Sequence, residues 1–286
     1  MRVLEVIQKS AEFLTNKGVD SPRLQAELLL AHVLKLPRMK LYLNFERELS
    51  EAELTSVRET VRRRGHREPL QHITGSTSFC GFEIAVNRSV LVPRPETELL
   101  AELGWEFLKK AGSGESATTA LDFGTGSGCI AIALAVKCPS AKIIALDAST
   151  EALTLARQNA ERNQAGDRIE FIQSDGFNAL PPGHSFDLLV SNPPYIPNGE
   201  IETLQPEVRD FDPRTALDGG ADGLQFYRLL AAEGRALLKA EGRIMLEFGD
   251  GQAADVKNIF EQQGWTTERV LEDYTQRERI FVGKRN

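Results

Sequence analysis

Hydrophobic positions in the first quarter of the chain recur at the spacing of an amphipathic helix. The first such stripe consists of Val3, Val6, Ile7 and Leu14. A second helix is predicted to begin at Ser21-Pro22, because proline is favoured in a first helical turn. Its apolar positions are Leu24, Leu28, Leu29 and Val33. Ser50 and Glu53 have the spacing of a capping box and open a third helix that runs to about Arg64. The pattern predicts a small helical domain over residues 1–72.

The pattern changes to alternation after Pro69. The alternating apolar positions, with Gly81 between them, are Phe79, Phe82, Ile84 and Val86. They predict a hairpin or an extended linker over residues 73–94. A further helix is predicted to begin near Pro95, and its buried face is expected to carry Leu99, Leu103 and Phe107.

Strands and helices alternate from Ala120 onward, which is typical of an α/β domain with a mostly parallel sheet. Strands are predicted at residues 120–123, 142–146, 169–173, 186–190 and 243–248, and helices at 130–136, 224–238 and around 256–260. The last two predicted strands, residues 267–271 and 279–282, have no helix between them, so the final strand is expected to be antiparallel. The α/β domain is predicted to span residues 95–286.

Composition narrows the class of protein. The chain has 286 residues, of which 41% are hydrophobic, enough for about two domains with ordinary cores. We expect a soluble, cytoplasmic protein that does not bind membranes, because no apolar run approaches the roughly 18 residues of a membrane span and residues 1–14 are amphipathic. The three cysteines lack Cys-x-x-Cys spacing, so neither a disulfide framework nor a metal site is expected.

Charge argues against a nucleic-acid substrate. The net charge is −7, whereas proteins that bind duplex DNA usually present a basic face to the phosphates. A protein partner or a small substrate is therefore favoured. There is one local cluster of cations, formed by Arg58, Arg62, Arg63, Arg64 and Arg67. It is either a solvated helix face or a contact for an acidic partner.

Candidate ligand-binding residues follow the predicted strands, at the sheet edge where open α/β folds bind their ligands. The tight turn after the first strand is Gly124, Thr125, Gly126, Ser127 and Gly128. Its glycines allow backbone to approach a ligand, and the helix that follows supplies unpaired N–H donors. Asp147 ends the second strand, where a carboxylate can accept both hydroxyls of a ribose. The third glycine falls too early for a dinucleotide fingerprint.

The next two strand ends carry further candidates. Asp175 could accept the amino group of an adenine or could be a solvent-exposed loop carboxylate, and Phe177 could lie against a purine or belong to the core. Asn192, Pro193, Pro194 and Tyr195 follow the strand at 186–190. Asn192 and the Pro193 carbonyl could accept the two hydrogens of a planar NH2 group while Tyr195 covers its face. A simple strand end with a proline turn is the alternative.

Two segments flank this edge. Arg94 either lines the site or is a surface charge. Residues 196–223 show little periodicity, and we interpret them as a lid that contacts a partner, since loops of this length are otherwise usually disordered.

Together these motifs resemble class I S-adenosylmethionine-dependent methyltransferases. The residues that carry the resemblance are Asp122-x-Gly124-x-Gly126-x-Gly128, Asp147, Ser174-Asp175 and Asn192-Pro193-Pro194-Tyr195. Asn-Pro-Pro-Tyr is typical of branches that methylate nitrogen, among them DNA amino-methyltransferases and protein glutamine methyltransferases. Residues 71–75, 93–98 and 212–223, together with the helical N-terminal domain, narrow the resemblance to the release factor glutamine methyltransferase family, HemK or PrmC.

The resemblance implies a Rossmann-like class I sheet and an N-terminal domain that recognises substrate. It implies methyl transfer from S-adenosylmethionine, with S-adenosylhomocysteine as product, to the glutamine of a Gly-Gly-Gln motif in class 1 release factors. Asn192 would contact both cofactor and substrate. Some members carry an aromatic residue where this chain has Gly176, so Phe177 is the substitute candidate for the adenine wall. We expect a monomer. A DNA amino-methyltransferase, a ribosomal-protein glutamine methyltransferase and a binding module without turnover remain alternatives.

Overall fold

The computed structural model describes residues 1–112 and 117–285, which form two compact units. One unit contains Met1–Ser76 together with Leu204–Phe211. The other contains Thr77–Thr203 and the chain from Asp212 onward. Residue 286, where the predicted α/β domain ends, lies outside the described residues.

The first unit is helical. Its helices are α1 (Val3–Asn16), α2 (Pro22–Leu34), α3 (Arg38–Leu41), α4 (Glu51–Gly65) and α5 (Leu70–Thr74). All four positions of the stripe predicted for α1 are buried. The capping box of α4 is confirmed, because the Glu53 amide donates to Ser50 Oγ and the Ser50 amide donates to the Glu53 carboxylate.

The face predicted for α2 was partly wrong. Ala26, Leu29 and Leu30 are buried, whereas Leu24 is 39% exposed. The helix contains the run Leu28-Leu29-Leu30, so its apolar residues surround much of the axis and their spacing does not select one face.

Four of the five arginines in the cluster at residues 58–67 are paired within the helical unit. Arg62, Arg63, Arg64 and Arg67 each lie within 2.9 Å of a carboxylate of the same unit. Arg64 is buried and shares Glu207, in a one-turn helix at Pro206–Arg209, with Arg67. This pairing favours a structural role for the cluster over contact with an acidic partner.

The second unit begins with a hairpin and continues as a seven-stranded sheet with helices. The hairpin strands are β1 (Ser76–Phe79) and β2 (Phe82–Ala85), as predicted. The sheet strands are β3 (Thr119–Phe123), β4 (Lys142–Asp147), β5 (Ile169–Gln173), β6 (Phe186–Ser191), β7 (Leu238–Glu247), β8 (Trp265–Glu272) and β9 (Glu278–Arg285). The helices are α6 (Pro95–Ala111), α7 (Cys129–Lys137), α8 (Thr150–Arg162), α9 (Gln225–Glu233) and α10 (Ala253–Gln262).

The strand order of the sheet is β5-β4-β3-β6-β7-β9-β8. Strands β3 to β7 pair in parallel, and β9 pairs antiparallel with both β7 and β8. The predicted fold class, a mostly parallel Rossmann-like sheet with an antiparallel last strand, is confirmed. No helix in the described part of the chain has the length and apolarity that a membrane span requires.

Two local predictions in this unit were wrong. The helix predicted at residues 224–238 ends at Glu233, a 3₁₀ turn follows at Gly234–Leu237, and Leu238 already pairs with Phe186 in the sheet. The most buried side chains of α6 include Leu100 and Leu108, while Leu99, Leu103 and Phe107 are only half-buried against the core. In the first case, strand pairing overrules a sequence that favours helix. In the second case, apolar residues lie on more than one side of α6, so their spacing does not select the buried face.

The region 196–223 has local structure. In addition to the helix at Pro206–Arg209 it contains 3₁₀ turns at Ile201–Thr203 and Arg214–Ala216. The Ile196 amide donates to the Leu217 carbonyl and the Gly219 amide donates to the Ile196 carbonyl. The segment after Tyr195 is therefore held by backbone hydrogen bonds to residues about 20 positions later in the chain.

Glu207→Gln is expected to destabilise the helical unit by roughly 1–3 kcal/mol, because it leaves the buried Arg64 without its anionic partner. Burial raises the pKa of Glu207, but hydrogen bonds from Arg67 and Arg64 outweigh it and hold the pKa below its ordinary value. The ion-pair contribution is therefore present above about pH 4 and is lost as the pH falls through the lowered pKa of the folded state. Urea unfolding followed by far-ultraviolet circular dichroism checks this.

Glu46→Gln is the matched control, because Glu46 pairs with Arg2 in the same unit but its side chain is 78% exposed. It should change the free energy of unfolding much less. Equal effects of the two substitutions would contradict the importance of the Glu207 pairs.

Candidate active site

Parallel pairing brings the carboxyl ends of four strands to one edge of the sheet. Phe123 of β3 pairs with Leu146 of β4, and Ser191 of β6 pairs with Leu246 of β7. Ser191 Oγ also donates to the Phe123 carbonyl at 2.6 Å, which ties β6 to β3 at this edge. The residues that come next are Gly124, Asp147, Asn192 and Glu247.

A cavity of about 500 Å³ lies at this edge. The predicted site residues that line it are Arg94, Gly124, Thr125, Gly126, Ser127, Asp147, Asp175, Gly176, Asn192 and Pro194. Four further predicted residues, Gly128, Phe177, Pro193 and Tyr195, are not among its lining residues. The cavity thus brings together the glycine turn, the ends of β4 and β5, and the start of the Asn-Pro-Pro-Tyr segment.

Asp147 fixes the glycine turn against the start of α8. One carboxylate oxygen accepts the Gly126 amide at 2.8 Å, and the other accepts the Ser149 amide at 2.9 Å. Burial raises the pKa of Asp147, and these backbone bonds oppose the shift. Each oxygen retains a lone pair, so the carboxylate can still accept two neighbouring hydroxyls.

Asp122 supports the same turn from inside the sheet. It is fully buried, and one oxygen accepts from Thr125 Oγ1 at 2.6 Å and from the Ala131 amide at 3.1 Å. Burial raises the pKa of Asp122 to about 7. Asp122 therefore links the turn to the first turn of α7 without lining the cavity.

Gly128 and Gly124 occupy different surroundings in this turn. Both have positive φ, +81° and +70°. A Cβ on Gly128 would lie 3.1 Å from Ala156 Cβ of α8, whereas a Cβ on Gly124 would have no atom within 4 Å. Gly128 is needed for close helix packing, and Gly124 leaves space open at the cavity.

Aromatic residues form part of the cavity wall. Phe123 and Phe226 line it, with ring centroids 6.4 Å apart. Phe177 lies behind Phe123, at 4.9 Å between centroids, and is almost fully buried in the core. Sequence reasoning missed Phe226, which lies in α9 three residues after the motif at residues 212–223.

Asn192 is held by two buried side chains from other elements. Its Nδ2 donates to Thr97 Oγ1 at 3.1 Å, and Thr97 Oγ1 donates to Glu247 Oε2 at 2.6 Å. Thr97 and Glu247 are each 3% exposed. Burial raises the pKa of Glu247 to about 7, while the hydrogen bond from Thr97 lowers it.

Sequence reasoning missed Thr97 and Glu247, although signals for both were present. Thr97 stands inside the motif at residues 93–98, and Glu247 ends a strand at the same edge as Asp147. Their roles depend on the pairing of β6 with β7, which sequence alone did not specify.

Tyr195 is fixed through its backbone. Its carbonyl accepts from Gln252 Nε2 at 2.9 Å, and burial raises the pKa of its phenol to about 12. The phenol therefore stays neutral at physiological pH.

Arg94 reaches the cavity and is paired. Its Nη2 lies 2.8 Å from Asp212 Oδ2, and Asp212 is almost completely buried. Burial raises the pKa of Asp212 to about 6, against the opposing effect of Arg94. Asp212 thus orients the arginine at the cavity wall.

Comparison with known proteins shows the family of this chain. Residues 5–75 match the family described as PrmC N-terminal domain, and residues 101–205 match the methyltransferase small domain. The release factor glutamine methyltransferase of Geobacter sulfurreducens is 42% identical over 99% of this chain and 96% of its own length. The chain belongs to the release factor glutamine methyltransferase family. The Chlorobaculum tepidum member is also 42% identical, over 97% of this chain and 95% of its own length.

A solved structure shares the fold of this family member. The methyltransferase from Pyrococcus furiosus aligns with a TM-score of 0.51 at 19% identity, over 79% of this chain and 98% of that one. At this identity the likeness concerns the fold alone. With the family shown by the full-length relatives, the chain is a methyltransferase.

Gly128→Ala is expected to destabilise this methyltransferase by about 2–4 kcal/mol, since alanine meets both the left-handed backbone conformation and the Ala156 contact. Gly124→Ala is the matched control, because it has the same backbone penalty without the contact and should cost about 1–2 kcal/mol. Urea unfolding of the two variants checks the difference. Equal losses would show that packing against α8 does not require glycine at position 128.

Proposed function

We propose that this chain transfers a methyl group from S-adenosylmethionine to the side-chain amide of the glutamine in a Gly-Gly-Gln motif of class 1 release factors. S-adenosylhomocysteine would be the other product, and the reaction would take place in the cytoplasm. The names of the two full-length relatives support this substrate. The observation that carries the proposal is a single cavity lined both by the glycine turn with Asp147 and by Asn192.

The residues present fit S-adenosylmethionine. The cavity falls within the usual range for small-molecule sites, roughly 300–1,000 Å³. We propose that the spare lone pairs of Asp147 accept the ribose hydroxyls and that Asp175 and Gly176 border the adenine. Phe123 and Phe226 offer it an apolar wall, and open space at Gly124 admits backbone contact. When bound, the cofactor supplies a methyl group already activated on a sulfonium.

The chain's own contribution to the reaction is to orient a poor nucleophile. The nitrogen of a glutamine amide reacts weakly because its lone pair is delocalised into the carbonyl. Asn192 Oδ1 and the Pro193 carbonyl are the proposed acceptors for its two hydrogens, which would favour partial pyramidalisation and direct the lone pair. Pro194 and Tyr195 are proposed to position the planar group, and Arg94 to border the substrate.

A strong general base is not needed. The nitrogen proton becomes acidic once the nitrogen is methylated, and it can then leave to water. The Tyr195 phenol, with its raised pKa, acts in this proposal as a neutral positioning group and not as a base.

A DNA amino-methyltransferase would present the same NH2 geometry to Asn192. The net charge of −7 and the internal pairing of the arginine cluster count against duplex DNA as substrate. A ribosomal-protein glutamine remains the nearest protein alternative.

The deciding experiment is mass spectrometry of an unmethylated class 1 release factor after incubation with this chain and S-adenosylmethionine, with duplex DNA and ribosomal proteins in parallel tubes. One added methyl on the Gly-Gly-Gln glutamine is expected. A methyl on DNA or on a ribosomal protein, with none on the release factor, would contradict the proposal. Absence of S-adenosylhomocysteine in all tubes would favour a binding module.

Two substitutions should separate binding from transfer. Asn192→Ala should lower methyl transfer by roughly 100-fold or more, because it removes an orienting acceptor. It should leave cofactor affinity largely intact. Asp147→Ala should instead weaken S-adenosylhomocysteine binding by roughly 10-fold or more, since two hydrogen bonds are lost. Calorimetric titration and initial rates check both, and equal loss of binding and transfer in Asn192→Ala would oppose its proposed role.

A further inference from the structure

The hydrogen-bonded chain from Asn192 through Thr97 to Glu247 links three different elements. Asn192 follows β6, Thr97 lies in the first turn of α6, and Glu247 ends β7. The two distances are 3.1 Å and 2.6 Å. Of the three residues, Asn192 and Thr97 line the cavity, and Glu247 is buried behind them.

The chemistry of the groups determines which atom donates and which accepts in each of these two hydrogen bonds. An ionised carboxylate only accepts hydrogen bonds, so the Thr97 hydroxyl must donate to Glu247. The Thr97 oxygen then offers only lone pairs to Asn192, which must turn its NH2 towards Thr97. An Asn192 oxygen facing Thr97 would set two acceptors against each other.

We propose that Thr97 and Glu247 are positioning residues that fix the orientation of the Asn192 amide, so that its oxygen is the atom available to a donor bound in the cavity. This inference rests on the proposed function, in which that donor is the NH2 group of a glutamine. A hydrogen bond from the Asn192 side chain also lowers the pKa of Glu247, so Thr97 and Glu247 both act on the NH2 end of the Asn192 amide.

Both positioning residues are themselves held firmly. The Thr97 amide donates to the Arg94 carbonyl at 3.1 Å, and its β-branched side chain has restricted χ1 freedom. Glu247 pairs with Ile280 of β9, and its carbonyl accepts from Tyr227 Oη at 2.9 Å. The orientation of Asn192 is thus set by the sheet and by α6.

Protonation of Glu247 would allow the donor and acceptor roles in these two hydrogen bonds to be exchanged. Burial raises its pKa to about 7, and the charged or titratable groups near it are Glu96 of α6, Arg279 of β9, Tyr227 of α9 and Tyr195 after β6. A neutral Glu247 can donate to Thr97, whose hydroxyl can then donate to the Asn192 oxygen. Protonation therefore makes this second arrangement available and weakens the preference for an Asn192 oxygen that faces the cavity.

Thr97→Val and Thr97→Ser form a matched pair. Valine keeps the shape and removes the hydroxyl, whereas serine keeps the hydroxyl. Thr97→Val should lower the rate of release-factor methylation by roughly 10- to 100-fold, with S-adenosylhomocysteine affinity changed by less than about threefold. Thr97→Ser should restore the rate to within about threefold of wild type. Equal rates for the two variants, or a Thr97→Val enzyme as fast as wild type, would overturn the proposal.

Glu247→Gln provides a second variant if Thr97→Val folds poorly. It keeps an acceptor oxygen for Thr97 but does not titrate. Asp122, whose pKa burial also raises to about 7, remains in this variant, so any pH dependence that comes from Asp122 is unchanged. The wild-type rate should fall as the pH drops below about 7, and this fall should be shallower in Glu247→Gln. An identical acid limb in both proteins would contradict the role of Glu247.

A measurement on the ligand-free protein keeps the inference separate from the proposed function. The side-chain amide protons of Asn192 can be assigned in ¹⁵N NMR spectra from the signals that vanish in Asn192→Asp. We expect Thr97→Val to shift them and to speed their exchange with solvent, and Thr97→Ser to preserve both. Unchanged signals in Thr97→Val would overturn the inference, even if the wild-type protein methylates release factors. If the wild-type protein does not, the proposed function fails while these signals still decide the inference.

Discussion

Parallel hydrogen bonding between β3, β4, β6 and β7 is the constraint on which the site depends. Because these strands run in the same direction and are paired in register, their last residues lie at the same edge of the sheet. Four chain segments that are far apart in sequence thereby contribute to one group of polar residues. Asp147 and Glu247 end their strands, and Gly124 and Asn192 directly follow theirs, so strand pairing restricts the backbone positions of all four residues.

This edge concentrates carboxyl groups that are withdrawn from water. Asp122, Asp147 and Glu247 all have pKa values raised by burial, and each is compensated by hydrogen bonds from a neighbouring turn or helix. Donors to a buried carboxylate offset its loss of hydration, so these groups order the backbone and side chains around them. At Asp122 both donors bind one oxygen, and the other oxygen is buried without a hydrogen-bond partner. The rigidity of the glycine turn and of Asn192 arises in this way from groups that are unfavourable in isolation.

Much of the fold and part of the site could be predicted from sequence. The strands at 120–123, 142–146 and 169–173 were readable because they are short apolar runs with clear ends, and the glycine turn and Asp147 follow from their positions after two of them. The end of α9 was not readable, because the residues around Leu238 favour helix and only pairing with Phe186 makes them a strand. Thr97 and Glu247 were missed for a related reason. Their contacts join residues 150 positions apart, and nothing in either local sequence identifies the partner.

Glu207 lies in a segment, Leu204–Phe211, that belongs to the helical unit although the chain on both sides of it belongs to the other unit. The helical unit is therefore not a continuous stretch of polypeptide, and no single cut in the chain would separate it from the other unit. A gene fragment that ends near residue 76 would encode five helices but not the anion that neutralises the buried Arg64. Evolutionary exchange of the helical unit between relatives would likewise have to transfer two separate stretches of sequence. The second stretch lies within the sequence of the other unit, so the helical unit cannot be exchanged as one continuous segment.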